Sequence, residues 1–424
     1  MTLVLRSSRP PPPSSRLLVQ KYGGTSVGSL ERIRAVAQRI ARTRSQGHEV
    51  IVVVSAMAGE TNRLLALGHA LSSRPDPREL DALVATGEQV SVALVAIALQ
   101  EIGVPARSFL AHQVRLRTDS NFTKARILGV DTERLIESAR NGVVPVVAGF
   151  QGIDEEGNTT TLGRGGSDTT AVAIAAALGQ GVPCEIYTDV EGVFTADPNL
   201  CPTARKISRI SYEEMLELAS LGAKVLQIRS VEIAMKYSVP VHVRSSFSEN
   251  EGTWVVREEE ALESVVVAGV TSDTNEAKLT IRQLENRPSR IAEIFEALAE
   301  AKISVDMIVQ NPSVDGRTDL TFTVSKVDLH KAKEVCERLL PHYEISVRED
   351  VVKVSIVGLG MRSHSGVAAK LFRILADEGI PIEAITTSEI KVSCLLPAKY
   401  HELAVRSIHD GFGLGRGQTG ERNF

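Results

Sequence analysis

Up to about Ser245 the apolar residues follow two alternating rhythms. Short β-branched runs at Leu17 to Gln20, Val50 to Val54, Val143 to Val147 and Glu185 to Tyr187 have the length of buried strands. Between them, apolar residues recur at helical spacing over Leu30 to Arg42, Leu83 to Gln100, Thr132 to Ser138 and Thr169 to Leu178. Strands alternating with helices predict a mainly parallel α/β sheet sandwiched by helices, with ligands at the carboxyl ends of the strands.

The rhythm changes after the turn-rich stretch Ser245 to Gly252 and the acidic run Glu258 to Glu260, which reads as a linker. Next come a strand (Lys278 to Ile281), a helix (Arg290 to Ala301), strands at Ser304 to Val309 and Asp319 to Val324, a helix (Leu329 to Leu339) and a strand (Glu344 to Val347). From Val351 the order returns: a strand to Val357, a helix from Gly366, strands around Ile382 and at Lys391 to Leu395, and a helix from His401. These predict two ferredoxin-like βαββαβ units. The second lacks a final strand, while Ser264 to Val270 offers a spare β-branched run just before the first, so the two units are expected to interleave. The predicted boundaries are a disordered Pro-rich tail over 1–16, a catalytic-type domain over 17–262 and a second region over 263–424. Within that region, one unit spans about 277–349 and the other about 265–270 plus 351–414.

Length and composition narrow the reading. A chain of 424 residues exceeds what one core usually serves, and 43% apolar with 24% charged residues is ordinary for a folded chain. A net charge of −4 offers no general attraction to nucleic acid or an anionic membrane. The N-terminus has arginines and the run Pro10 to Pro13 but no long apolar stretch. Cys184, Cys201, Cys336 and Cys394 lack the close spacing of a metal site, so free thiols in the cytoplasm are expected, with no protein-bound metal.

Candidate chemistry sits where strands become helices. Lys21-Tyr22-Gly23-Gly24 ends the first strand, where glycines let the backbone approach a phosphate and lysine adds a point charge, although a Gly-Gly turn is by itself also an ordinary tight turn. The run Thr161 to Thr170 leads into a helix with Ser167 or Asp168 as its expected cap. A capped helix start does not account for Arg164 between glycines, where a guanidinium suits a carboxylate. The segment Tyr187 to Pro198 ends a strand in an acidic, turn-rich loop at the ligand edge of the sheet.

Together these segments resemble the aspartokinases of the amino acid kinase family, from about Leu17 to about Leu414. The signatures are Val19 to Val27, Val54-Ser55-Ala56-Met57, Gly87-Glu88-Gln89, Gly163 to Thr170 and Ser220 to Leu226, and the C-terminal units look like paired ACT domains. The resemblance implies transfer of the γ-phosphoryl group of ATP, with Mg2+ carried mainly on the phosphates, to the side-chain carboxylate of L-aspartate. This is the first step toward lysine, threonine and methionine. The nucleophile is a carboxylate already ionised at neutral pH, so positioning and charge neutralisation suffice.

By the same resemblance, Lys21, Asp168 and Lys224 are catalytic, and Thr61, Glu88, Arg164, Gly165, Gly166 and Ser167 bind the substrate, with Arg164 at its α-carboxylate and Glu88 at its α-ammonium. Lys21, Tyr22, Gly23, Gly24, Ser55, Thr188, Asp189, Phe194, Asn199 and Lys224 contact ATP, although relatives often carry arginine where Asn199 stands. Lysine and/or threonine are the expected effectors and a homo-oligomer through the ACT domains the expected assembly. Asn286, Ser289, Val305, Asp306, Gln310, Ser388 and Glu389 form the effector set. Sensitive relatives usually carry Asp-x-Pro-Gly where this chain has Asn286-Arg287-Pro288-Ser289, so weakened feedback is expected. A paralogue serving a specialised pathway and an amino-acid sensor without catalysis stay open as alternatives.

Overall fold

The computed structural model describes residues 16–222, 225–257, 266–312, 316–362 and 364–416. The Pro-rich tail, Lys224 and the acidic run Glu258 to Glu260 lie outside the described residues. The chain divides into two compact units, one containing residues 1–193, 206–220 and 224–261, the other 194–205, 221–223 and 262–424.

In the first unit the order is β1 (Leu17–Tyr22), α1 (Leu30–Ser45), β2 (Glu49–Val54), α2 (Glu60–Leu71), α3 (Pro77–Val84), α4 (Thr86–Glu101), β3 (Ala106–Phe109), β4 (Arg117–Thr118), β5 (Ile127–Gly129) and α5 (Glu133–Arg140). It continues with β6 (Val144–Ala148), β7 (Gln151–Ile153), β8 (Thr159–Thr161), α6 (Gly166–Leu178), β9 (Cys184–Thr188), β10 (Arg209–Ser211), α7 (Tyr212–Ser220), α8 (Ile228–Tyr237), β11 (Val241–Ser245) and β12 (Thr253–Val256). Eight strands form one sheet in the order β10-β12-β11-β9-β1-β2-β6-β3, parallel except where β11 meets β12. β1 is buried along its whole length, as a central strand covered on both faces must be.

Burial explains why the flanking segments are helical. Ile33, Val36, Ala37 and Ile40 of α1 recur on one buried stripe, and Ser29 caps its start by accepting from the Arg32 amide. α6 is buried on every side, and its alanines allow close packing against neighbours. The apolar run predicted as one helix over Leu83 to Gln100 is two, with Ala85 at the junction of α3 and α4. A second sheet, β5-β4-β7-β8, is built from strands of only two or three residues and was not anticipated.

The second unit contains β13 (Gly269–Asp273), β14 (Glu276–Glu285), α9 (Pro288–Glu300), β15 (Val305–Pro312), β16 (Arg317–Ser325), α10 (Leu329–Leu339), β17 (Ile345–Arg348), β18 (Val351–Val357), α11 (Val367–Asp377), β19 (Ala384–Thr387), β20 (Lys391–Pro397) and α12 (His401–Gly411). Two antiparallel sheets result, β15-β16-β14-β17 and β13-β18-β20-β19. β13 pairs with β18, so chain preceding one βαββαβ unit completes the sheet of the other. It begins at Gly269, toward the C-terminal side of the run Ser264 to Val270, whose first two residues lie outside the described residues.

The segment 194–205 is part of this second unit. Ala196 and Cys201 join its core, Thr195 Oγ1 lies 2.9 Å from His409 Nε2, and the Arg205 Nε donates to the Leu414 carbonyl at 3.0 Å. Between the two sheets, buried Lys353 of β18 reaches Glu276 of β14 at 2.6 Å and also pairs with Asp306 of β15. Removing one partner from such a buried pair typically costs about 3–5 kcal/mol, because the other charge is stranded.

Candidate active site

The cleft that gathers most of the residues expected to bind aspartate or ATP or to act in catalysis lies in the first unit, has a volume of about 290 Å³, and opens where β1 and β2 end. Period-2 alternation decides which side chains of β1 can enter it: Lys21 faces the cleft while its neighbours Gln20 and Tyr22 point to the opposite face. There Gln20 donates to Glu185 Oε2 at 2.8 Å, the Tyr187 hydroxyl donates to the same oxygen at 2.9 Å, and Arg244 pairs with Glu185 Oε1 at 3.1 Å. Burial raises the Glu185 pKa, but the nearby His242 ring, the Gln20 amide and the Arg244 charge outweigh it and hold the carboxyl at about 2. Tyr22 and Tyr187 stack at 4.8 Å, so β1 and β9 are locked together behind the lysine.

After Lys21 the chain turns sharply. The Gly23 amide donates to the Tyr187 carbonyl and the Ala58 amide to the Gly24 carbonyl. A Cβ on Gly24 would stand 2.8 Å from the Ala56 carbonyl oxygen, so only glycine allows the β1 and β2 turns to approach this closely. Ser55, Ala56, Met57, Ala58, Gly59 and Thr61 form the adjoining wall.

The opposite wall is the loop from β8 into α6 and the first turn of that helix, together carrying Gly163 to Asp168. Gly165 (φ +72°), not Ser167 or Asp168, occupies the cap position of α6, and no side chain caps the helix. The expected cap is corrected for a steric reason: the Gln227 side chain fills the space any Cβ at Gly165 would need. Ser167 and Asp168 therefore fall in the first turn, and Asp168 pairs with Lys21 at 2.6 Å. Arg164 is exposed between Gly163 and Gly165, both at positive φ.

Glu88, in the first turn of α4, closes the floor. Its Oε1 accepts from the Ala56 amide at 3.0 Å, while Oε2 is buried without a partner. Burial raises its pKa to about 7 against the lowering effect of the amide hydrogen bonds. The cleft thus presents a positioned ammonium, an exposed guanidinium and an unsatisfied carboxylate, the donor and acceptor set for a zwitterion beside a polyanion.

Of the predicted residues, Lys21, Gly24, Ser55, Thr61, Glu88 and the stretch Arg164 to Asp168 line this one cleft. Tyr22, Gly23, Thr188 and Asp189 border it in sequence without lining it, and Phe194 and Asn199 belong to the second unit. Lys224 lies outside the described residues. Met57 and Phe150 also line the cleft; Met57 belongs to the segment Val54 to Met57, whereas Phe150 carries no signal in the sequence. In the second unit, Gln310 Nε2 donates to Asn286 Oδ1 at 2.9 Å, Ser289 sits in the first turn of α9, and Val305 and Asp306 begin β15. Ser388 and Glu389 form the turn between β19 and β20, with Arg362 3.2 Å from Glu389.

Known proteins resemble this chain over nearly its whole length. The model of the amino acid kinase family matches residues 16–245, and that of the ACT domain matches 282–340 and 354–412. The chain is 52% identical over 404 residues to an aspartate kinase of Stutzerimonas stutzeri, covering 94% of this chain and 97% of that protein. It is 51% identical to an aspartokinase of Thermus thermophilus, covering 94% and 99%. Among solved structures, Escherichia coli aspartokinase III in complex with aspartate and ADP aligns with a TM-score of 0.77 at 27% identity, covering 93% of this chain and 99% of that one. The same enzyme in complex with lysine and aspartate gives the same score and identity, covering 94% and 100%.

Glu88 gives the ligand-free protein a pH signature. Its folded pKa of about 7 lies above the ordinary carboxylate value, so the folded state binds more protons than the unfolded state across the interval between them. The stabilisation is present at acid pH and is lost as pH rises through about 7. Relative to Glu88→Gln, the wild type should lose up to about 3 kcal/mol between pH 5 and pH 8. Denaturant unfolding at a series of pH values checks this; parallel stability curves would contradict it.

Proposed function

The chain belongs to the amino acid kinase family, on its aspartokinase branch, and from that premise we propose how this aspartate kinase uses its cleft and how it is regulated. ATP donates its γ-phosphoryl group to the side-chain carboxylate of L-aspartate, giving 4-phospho-L-aspartate and ADP. The observation that carries this reading is a single cleft lined by the Lys21–Asp168 pair, by Arg164 and by Glu88 with its unpartnered oxygen. The nucleophile is an ionised carboxylate, so no general base is needed. Lys21 neutralises charge on the transferred phosphoryl group, Asp168 fixes the lysine's direction, and the Gly23–Gly24 turn lets the backbone approach the phosphates closely. Lys224 is the second phosphate-side lysine. Arg164 takes the substrate's α-carboxylate, Glu88 its α-ammonium, and Thr61 and Ser167 donate hydroxyl hydrogen bonds. Thr188, Asp189, Phe194 and Asn199 serve the nucleotide.

Among the described residues no cluster of three metal-ligating side chains occurs, and the Asp168 carboxylate is engaged by Lys21. This donor set fits Mg2+ that arrives on the phosphates, where it adds charge neutralisation. The complex of Escherichia coli aspartokinase III with aspartate and ADP supports the substrate pair. We place the enzyme in the cytoplasm, at the start of the route to lysine, threonine and methionine.

The two ACT units bind a small amino acid, lysine or threonine, and assemble copies of the chain. Support comes from the lysine complex of the Escherichia coli enzyme and from β15, an edge strand that leaves Ile308 exposed. Asn286 and Gln310 hold each other near the start of α9, where effector ends would meet backbone amides. A neutral Asn286 and a Ser289 with a side chain weaken that site relative to an Asp-x-Pro-Gly turn.

Two outcomes follow in kinetics. Arg164→Ala should raise the aspartate KM by the equivalent of roughly 2 kcal/mol or more, and Lys21→Ala should lower kcat on the order of a hundredfold. Steady-state assays varying each substrate decide it; unchanged aspartate kinetics in the first variant or near-normal turnover in the second would remove those roles. For regulation, Asn286→Asp/Ser289→Gly should deepen inhibition by lysine, threonine or the pair. Strong wild-type inhibition that the double variant leaves unchanged would defeat the idea.

A further inference from the structure

The loop that carries Arg164 is held from behind by two charged residues that do not line the cleft. Buried Asp81 of α3 receives three hydrogen bonds: the Thr161 amide at 2.7 Å and the Thr123 amide at 2.9 Å on Oδ2, and the Thr161 hydroxyl at 2.5 Å on Oδ1. Half-buried Arg229 of α8 donates from one guanidinium nitrogen to the Leu162 carbonyl at 2.6 Å and from the other to the Ala125 carbonyl at 2.8 Å. An anion thus collects amides and a cation collects carbonyls from the same two strands of chain. The Ala125 amide ties these together by donating to the Thr161 carbonyl at 2.9 Å.

We propose that Asp81 and Arg229 are positioning residues that set the strength of aspartate binding by fixing where the 163–165 loop leaves β8. The inference rests on the reading of Arg164 as the substrate's carboxylate partner. Loop and helix depend on the clamp to different degrees. Asp168 lies inside α6, whose burial on all sides holds it, and pairs with Lys21 whether or not the preceding loop is fixed. Arg164 lies outside the helix, flanked by Gly163 and Gly165, which restrain the backbone least of all residues. Before it, Asp81 and Arg229 tie Thr161 and Leu162 to distant parts of the chain, beside the bond from the Leu162 amide to the Phe150 carbonyl, while among the described residues the Gly163 carbonyl accepts only from the nearby Gly166 amide. Loosening the clamp therefore moves the guanidinium while leaving the phosphate-side lysine in place, and small misplacements of a positioning group carry large kinetic penalties.

Asp81→Asn keeps the shape but substitutes an amide for an oxygen that must accept. Arg229→Lys keeps the charge but replaces a two-pronged donor with a single ammonium. Each should raise the aspartate KM on the order of tenfold while the ATP KM stays within about twofold of wild type. The full-length enzyme is assayed with each substrate varied in turn, with thermal melts alongside and Arg164→Ala as reference. If Arg164→Ala raises the aspartate KM and folded Arg229→Lys does not, the inference fails while the reading of Arg164 survives. If Arg164→Ala itself has no effect, the reading fails and takes the inference with it. Equal rises in both KM values with a lowered Tm would overturn the proposal in favour of a general structural role. Arg229 is only half-buried, so its variant decides the matter even where Asp81→Asn does not fold.

Discussion

Lys21 and Asp168 meet at 2.6 Å with about nine-tenths of each side chain removed from solvent, and this contact fixes the relation between the first strand and the helix α6. A lysine at the end of a buried strand has no reason to hold one direction unless a charge holds it, and a carboxylate in the first turn of a helix is favoured by the amide dipoles there. Each charge in turn would be costly to strand if its partner were removed. The ammonium is therefore oriented in the ligand-free protein, as the phosphate-side role proposed for Lys21 requires. Behind it, the Glu185 network locks β1 to β9, and the Gly24 turn brings β1 and β2 close enough to share one cleft.

Glu88 and Arg164 are held in the cleft in opposite ways. Glu88 is buried, its free oxygen lacks a partner, and its pKa is pushed up to about 7, so it is poised to gain from a cation. Arg164 is exposed and flanked by glycines, so its direction is set by the chain on either side of it. The cleft therefore combines a stiff acceptor with an adjustable donor, the pairing that the proposed grip on a short zwitterion uses.

Much of this was legible in the sequence where local chemistry is distinctive. Lysine before paired glycines, arginine between glycines and glutamate at a helix start each mark positions that now share one cleft, and the repeated βαββαβ order was visible because its strands and helices are long enough to show a period. Other features depend on contacts remote in the chain. Ala85 separates α3 from α4 without a glycine or proline, and its carbonyl accepts from the Gln151 side chain, a partner no local pattern reveals. The sheet of β4, β5, β7 and β8 consists of strands too short for periodicity. Asp81 and Arg229 look like ordinary helix-surface charges, and only folding brings them to the same stretch of backbone. The cap of α6 was misassigned because the Gln227 side chain, far away in sequence, excludes any residue but glycine at 165.

On this account the cleft phosphorylates the side-chain carboxylate of aspartate through positioned charges alone. The most direct test incubates the protein with ATP, Mg2+ and hydroxylamine, which traps an acyl phosphate as a hydroxamate, and offers L-aspartate, L-glutamate and N-acetylglutamate in parallel while ADP release is followed. Hydroxamate and ADP forming in equal amounts with L-aspartate, and at background with the other two, is the result expected. Turnover with N-acetylglutamate or glutamate that matches aspartate, or ADP release without hydroxamate, would contradict it.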